Sequence, residues 1–289
     1  MQSEATSRRV LNADADTTPA RERPRPGRIS SAVIAIAVVL PLLFLVLPLV
    51  ALFAEAVPAL DDLSPRTRET LWQALRVSLI TTGLSLLLII GFGTPVAYVL
   101  ARRRLPASRL INALIDLPIV LPPSVAGIAL LMAFGRRGLV GSWLNDLGIT
   151  IGFTTTAVVL AQCFVAAPLY IRAAKVGFGE VEREVEDAAA VDGATPATVF
   201  RTITLPLARS SLVAGVVLAW ARALGEFGAT IMFAGSFMGR TQTMPLAIYE
   251  RFGAGDLTSA LTLSVILLAT SLVVLLAIRY LGEPTTPRR

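Results

Sequence analysis

The sequence predicts an all-α integral membrane protein with six transmembrane helices. Three observations carry this. Residues AVILMFWYC make up 54% of the 289 positions, and the mean hydropathy is +0.70. Only 16% are charged, against about 25% in a soluble domain, too few to clothe a water-facing surface of this size. The apolar residues also fall in runs long enough to cross a hydrocarbon core of ~30 Å.

Residues 1–30 are polar, with six arginines and three prolines, and read as a disordered cytoplasmic arm. The first span, 31–57, is interrupted only by Pro41, Pro48 and Glu55. Ala54-Glu55-Ala56 mimics a signal-peptidase site, but the apolar run before it is about twice the usual length, so the span reads as uncleaved. Further spans are expected at 77–101, 110–134, 155–171, 210–234 and 259–281. The third contains Pro118, Pro122 and Pro123, which are expected to bend it, and the fifth carries Arg222 and Glu226. A tail over 282–289 completes the chain.

Orientation follows from Lys and Arg. With both termini inside, 18 of these residues fall in cytoplasmic segments and 7 in external ones. The net charge of +6 thus reads as membrane anchoring, not nucleic-acid binding, and Arg102-Arg103-Arg104 is the strongest single anchor.

Several chemistries are excluded. Without His there is no imidazole base or ligand, and a lone Cys163 cannot form an intrachain disulfide or a cysteine zinc cluster. Cys163 reads as a small packing residue. The only lysine, Lys175, is followed by Val176, so no Walker A loop is present and this chain binds no nucleotide of that kind. No metal site, cofactor or catalytic residue is expected.

The informative segment is the long cytoplasmic loop 172–209. Residues 179–191 read as a helix, with Val181, Val185, Ala188 and Ala189 near one face. Asp192-Gly193 supplies its stop, and Thr195-Pro196 the cap and first turn of a second short helix, with Val199, Phe200 and Ile203 apolar and Leu205-Pro206 ending it.

The order Asp187-Ala188-Ala189, three residues, Gly193, nine residues, Ile203-Thr204-Leu205-Pro206 resembles the EAA loop of binding-protein-dependent ABC importer permeases, with Asp187 where the family usually has Glu. Pro118-Ile119-Val120-Leu121-Pro122-Pro123-Ser124-Val125-Ala126-Gly127 and Ala221-Arg222-Ala223-Leu224-Gly225-Glu226-Phe227-Gly228-Ala229-Thr230 resemble the molybdate and sulfate branch. Thr241-Gln242-Thr243-Met244-Pro245-Leu246-Ala247-Ile248-Tyr249 is most similar to the molybdate type.

The resemblance implies a type I ABC importer permease fold working by alternating access. It implies a second copy of the chain, a cytoplasmic ATPase dimer holding ATP and Mg, and an extracytoplasmic molybdate-binding protein. Asp187, Ala188, Ala189, Gly193, Ile203, Leu205 and Pro206 would couple to the ATPase. Selectivity would reside mainly in the binding protein.

Arg222 and Glu226, four apart, have two readings: they line the translocation pathway with Pro122 and Pro123, or they are a paired charge fixing helix packing. Asp116 reads as capping or pairing locally near Asn112, and Gly225 and Gly228 as sites of close helix contact. The loop 235–258, with Arg240, Thr241, Gln242 and Arg251, is either a docking surface for a binding protein or a solvated loop. Sulfate, thiosulfate and tungstate remain alternative cargoes. An ion-gradient-driven secondary transporter is the rival of another class. A channel lacks a visible filter, and an intramembrane enzyme lacks plausible catalytic groups.

Overall fold

A computed structural model describes residues 31–58, 64–103 and 106–282. The arm at 1–30, residue 104 and the tail beyond 282 lie outside the described residues.

Among the described residues the secondary structure is helical throughout. Helix α1, Ser31–Ala56, carries Pro41 and Pro48 inside it and exposes every side chain from 33 to 50. An all-round apolar helix of this kind is solvated by lipid rather than water.

The remainder, from residue 51 onward, forms one unit. Helix α2, Pro65–Arg102, has 38 residues, about 57 Å at 1.5 Å per residue, and so outruns the expected second span at its amino end. Ser64 caps it, accepting from the Thr67 amide at 3.1 Å, and Pro65 fills the first turn. Helix α6, Thr155–Glu180, is the centre of the unit. It packs on α2 and on α9, Arg209–Leu224. Of its apolar stretch 56% is buried, against 28% for α2 and 17% for the last helix, α12, Leu257–Gly282.

Polar side chains tie α2 to α6. Ser85 Oγ donates to Gln162 Oε1 at 2.9 Å, and Gln162 Nε2 donates to Thr82 Oγ1 at 3.2 Å, all three side chains being buried. In hydrocarbon such bonds hold helices together where the hydrophobic effect gives no preference for protein over lipid. Cys163 packs beside them, its Sγ 3.6 Å from the Ser85 carbonyl.

The third and fifth spans are not single helices. The third is α3, Ser108–Val120, and α4, Pro123–Phe134, meeting at 115°, with the short α5, Gly141–Asp146, after it. Pro118 stays within α3, so the adjacent Pro122 and Pro123 make the break. Pro122 drives Leu121 into extended backbone (φ −67°, ψ 133°), ending α3, and Pro123 starts α4. This is a sharp corner where a bend was expected. The fifth span is α9 followed by α10, Gly228–Ala234, with a break at 225–227. A further 70° bend separates α9 from the preceding α8, Pro196–Leu207.

The two broken spans meet. A Cβ on Gly127 of α4 would lie 2.7 Å from the Ala229 carbonyl and Met232 Cβ of α10. One on Gly228 would lie 2.5 Å from Pro123 Cβ. Of the two glycines expected at close contacts, only Gly228 is at one, since Gly225 faces nothing nearer than its own helix at 3.4 Å. Among the described residues four helices are long and apolar enough to cross a membrane, or up to six spans when the bent pairs α3–α4 and α8–α9 each count as one.

Gly127→Ala should therefore overpack the α4–α10 contact, costing about 1–3 kcal/mol. Gly83→Ala, whose added methyl meets nothing within 4 Å, serves as the control. Thermal unfolding in detergent should show a lower midpoint for Gly127→Ala alone; equal midpoints would refute the close approach.

Candidate functional site

The loop between α6 and α9 departs from its expected helix bounds. α6 runs on to Glu180, and the next helix, α7, Arg183–Val191, begins four residues later than residue 179. The cause is Val181, which is buried with Phe178 and Ala208. Its carbonyl, extended in backbone, accepts from Arg102 Nη1 at 3.0 Å. The segment at 181–182 is thereby fixed in the turn between the two helices.

Much of the expected apolar face of α7 is left open. Val185, Ala188 and Val191 are exposed, as is Asp187, whereas Glu186 and Ala189 are the positions partly covered.

The sharp turn forms as expected. The Gly193 amide donates to the Ala190 carbonyl at 3.1 Å and the Ala194 amide to the Ala189 carbonyl at 3.0 Å, with Gly193 at φ +88°. Space around Gly193 is open, so glycine is required there by backbone conformation alone. Thr195 Oγ1 accepts from the Thr198 amide at 3.3 Å and Pro196 opens α8. The middle of α8, Phe200–Thr204, is π-helical. Val199 and Thr204 are buried, Ile203 is half-buried, and Leu205 and Pro206 are exposed. Pro206 does not end the helix; the break comes at Ala208.

The loop is clamped to the bundle through Glu186, which nothing in the sequence sets apart from the neighbouring acids. Glu186 Oε1 accepts from Arg102 Nη2 at 2.8 Å and from Thr204 Oγ1 at 2.5 Å. Arg183 Nη2 donates to the Arg102 carbonyl at 3.0 Å. The Arg102 and Glu186 side chains are only 11% and 15% exposed. One largely covered carboxylate thus joins α2, α7 and α8. Beside it Tyr98, Phe178 and Phe200 form a three-ring cluster, with centroids 5.1–6.0 Å apart, linking α2, α6 and α8. Arg102 reads as an anchor from its place in an arginine run; its pairing with Glu186 joins positions 84 apart and has no local signal.

The second group is at the broken spans. Arg222 Nη1 donates to Glu226 Oε2 at 2.5 Å, and Glu226 Oε1 accepts from the Ala229 amide at 2.7 Å. Glu226 lies beyond the end of α9, and its carboxylate bridges α9 to the first turn of α10. It is 1% exposed and Arg222 34%. The packing of Gly228 on Pro123 brings this break beside the proline corner, with Pro122 exposed. All four residues named from the sequence therefore belong to one neighbourhood, although Glu226 stands in a break and not on a continuous helix.

Asp116 does not pair locally. It accepts from Arg172 Nε at 2.5 Å, and Asn112 Oδ1 accepts from Lys175 Nζ at 2.8 Å, so both tie α3 to α6.

Nor is 235–258 a solvated loop. It holds α11, Met244–Gly253, packed on α2 and α12, and Thr241, Gln242, Thr243, Met244, Leu246 and Ala247 are buried. The Met244 amide donates to Ser78 Oγ at 2.8 Å, Gln242 donates to Glu250, and Arg251 Nη2 donates to Thr70 Oγ1 at 2.6 Å. The Ser259 hydroxyl and amide beside Asp256 hold its carboxyl below the ordinary carboxylate range as it starts α12. Among the described residues no three His, Cys, Asp or Glu side chains cluster to hold a metal ion.

Known proteins agree with this architecture. Residues 93–283 match the family described as binding-protein-dependent transport system inner membrane component. The chain is 47% identical over 201 residues to the molybdenum transport system permease protein ModB of Mycobacterium tuberculosis, covering 69% of this chain and 76% of that one. It is 32% identical over 257 residues to the probable sulfate transport system permease protein cysT of Nephroselmis olivacea, covering 88% and 90%. In fold it is similar to the crystal structure of a bacterial ABC transporter involved in the import of the acidic polysaccharide alginate. The TM-score is 0.67 with 16% identity, over 89% of this chain and 95% of that one. The all-helical unit is the type I ABC importer permease fold, and the chain belongs to the binding-protein-dependent transport system inner membrane component family.

Proposed function

We propose that this protein is the permease subunit of an ATP-driven importer that carries molybdate across the cell membrane by alternating access. The observation that carries the machine is the α7–α8 hairpin. It is clamped to the bundle through Glu186 yet leaves Asp187, Ala188 and Val191 exposed. A rigid lever with an open acidic and apolar face suits a partner that pushes. The 47% identity to a molybdenum permease supports the cargo.

In this reading both termini are cytoplasmic, as the 18-to-7 division of Lys and Arg favours. A second copy of the chain completes the pathway, and α3, which has no buried residue, is available to it. ATP and Mg belong to a cytoplasmic ATPase dimer, and an extracytoplasmic binding protein delivers the anion. Asp187, Ala188, Ala189 and the Gly193 turn engage the ATPase. Ile203, Leu205 and Pro206 carry the motion toward α9. Arg222 neutralises Glu226, so the gap beside Pro122 and Pro123 does not repel a passing dianion. Sulfate is the second reading, favoured by the relative that covers 88% of this chain.

Uptake of labelled molybdate in cells with and without this chain tests the cargo. Loss on deletion, with competition by excess tungstate but not sulfate, is expected. Unaffected molybdate uptake with lost sulfate uptake would move the cargo to sulfate.

Two substitutions test the lever. Gly193→Val should abolish transport while leaving membrane insertion intact, and Gly193→Asn, which tolerates the left-handed turn, should retain transport. Normal uptake by the valine variant would refute the turn's role. Glu186→Gln strands Arg102 without its counter-charge, a loss on the order of 3 kcal/mol, and should lower the thermal midpoint by several degrees. Asp187→Asn, at an exposed position, should leave the midpoint unchanged and reduce only ATP-driven uptake. Equal midpoints for the two variants would contradict the division of labour.

A further inference from the structure

The geometry points to an oxyanion-binding site at the end of the bundle opposite the hairpin, built on Arg76, Arg240 and Arg136. Arg76 lies 26 residues before Arg102 on α2, about 39 Å along one helix. Two cavities open there. One, of about 460 Å³, is lined by Gln73, Arg76, Thr81, Thr155 and Arg240 among others. The second, of about 350 Å³, is lined by Arg136, Thr150, Thr154 and Arg240. Arg240 is common to both, so three guanidinium groups serve two adjoining spaces.

Among the described residues the charge there is uncompensated, and no carboxylate lines either cavity. The described ion pairs engage Arg102, Arg172, Arg222 and Arg251, and none involves these three arginines. The nearest acid along α2, Glu69, accepts from Gln73 Nε2 at 3.0 Å instead. The positive end of α6 points the same way, because Thr154 and Thr155, its cap and first residue, line the two cavities.

The site is also held in place. Thr155 Oγ1 donates to the Arg240 carbonyl at 2.9 Å, and Gln73 Oε1 lies against Gly239. The loop bearing Arg240 is thereby fixed over the larger cavity.

A planar fork of N–H donors with hydroxyl and amide groups beside it matches a compact tetrahedral oxyanion carrying two charges. Val77 and Ile80, which also line the larger cavity, give it an apolar wall that strengthens that attraction. The same chemistry accepts the transported dianion or the phosphate of a lipid headgroup. The inference goes beyond the proposed cargo pathway at Arg222 and rests on the cargo reading only for the side from which anions arrive.

The test is equilibrium binding of labelled molybdate to the purified permease–ATPase complex, without turnover and without binding protein. Phospholipid retained by the same samples is measured by mass spectrometry. The variants are Arg76→Gln, Arg240→Gln, both together, and Arg137→Gln as an exposed control lining neither cavity. Arg76→Lys with Arg240→Lys keeps the charge and removes the fork should the glutamine pair fold poorly. At least a ~10-fold loss of molybdate affinity in the double glutamine variant, an intermediate loss with lysine and none in the control are expected. Loss of bound phospholipid with unchanged molybdate binding would assign the same site to a headgroup phosphate. No change in either overturns it. So does weakened capture of the binding protein with both anion measures unchanged, since the arginines then serve a protein surface. If the unmodified complex transports no tetrahedral oxyanion, the cargo reading falls while this binding result still stands or falls alone.

Discussion

Glu186 is the hinge on which this structure turns. A carboxylate taken out of water costs several kcal/mol unless charge and hydrogen bonds replace the lost solvent. Here Arg102 supplies the charge and Thr204 the hydroxyl. Those partners come from the end of the second span and from α8, so the penalty of burying one acid is met only when the loop is docked on the bundle. The Tyr98, Phe178 and Phe200 rings add an apolar contact at the same joint. The loop is consequently a stiff extension of α2 and α6 rather than a tether.

The membrane imposes the second constraint. Broken helices at bilayer depth leave backbone groups that lipid cannot satisfy, so breaks survive only where protein supplies partners. At the fifth span Glu226 supplies one, accepting the Ala229 amide while Arg222 balances its charge. At the third, Leu121 and Ala126 amides find the Leu117 and Pro122 carbonyls on either side of the corner. Gly127 and Gly228 then let the two broken spans approach closely. The docked hairpin and this paired break are therefore joined through α9, whose two ends they occupy.

Much of this was legible in the sequence. The apolar runs located the four long helices and the two broken ones, because a helix facing lipid must be apolar on the surface it presents to lipid. The Asp192-Gly193 turn and the Thr195-Pro196 helix start were also legible, because those residues act through local backbone geometry. Long-range pairings were not. Nothing local marks Glu186 rather than Asp187 as the acid that docks, or sends Asp116 to Arg172. The proline pair announced a disturbance but not its 115° size, which depends on α10 packing into the corner. Helix α11 was missed because the polar Gln242 and Thr243 just before it read as a solvated surface, whereas both are buried.

In the proposed assembly, hairpin and bundle move as one body when the ATPase acts. Spin labels at Val191, 86% exposed on the hairpin, and at Val96 on α2, 39% exposed, measure it directly in the assembled transporter. The account predicts that the Val191–Val96 distance within one copy is the same without nucleotide and with ATP bound, while the Val191–Val191 distance between copies shortens. A within-copy distance that changes on ATP binding would contradict it, because the hairpin would then slide on α2 and the Arg102–Glu186 pair would not transmit its motion.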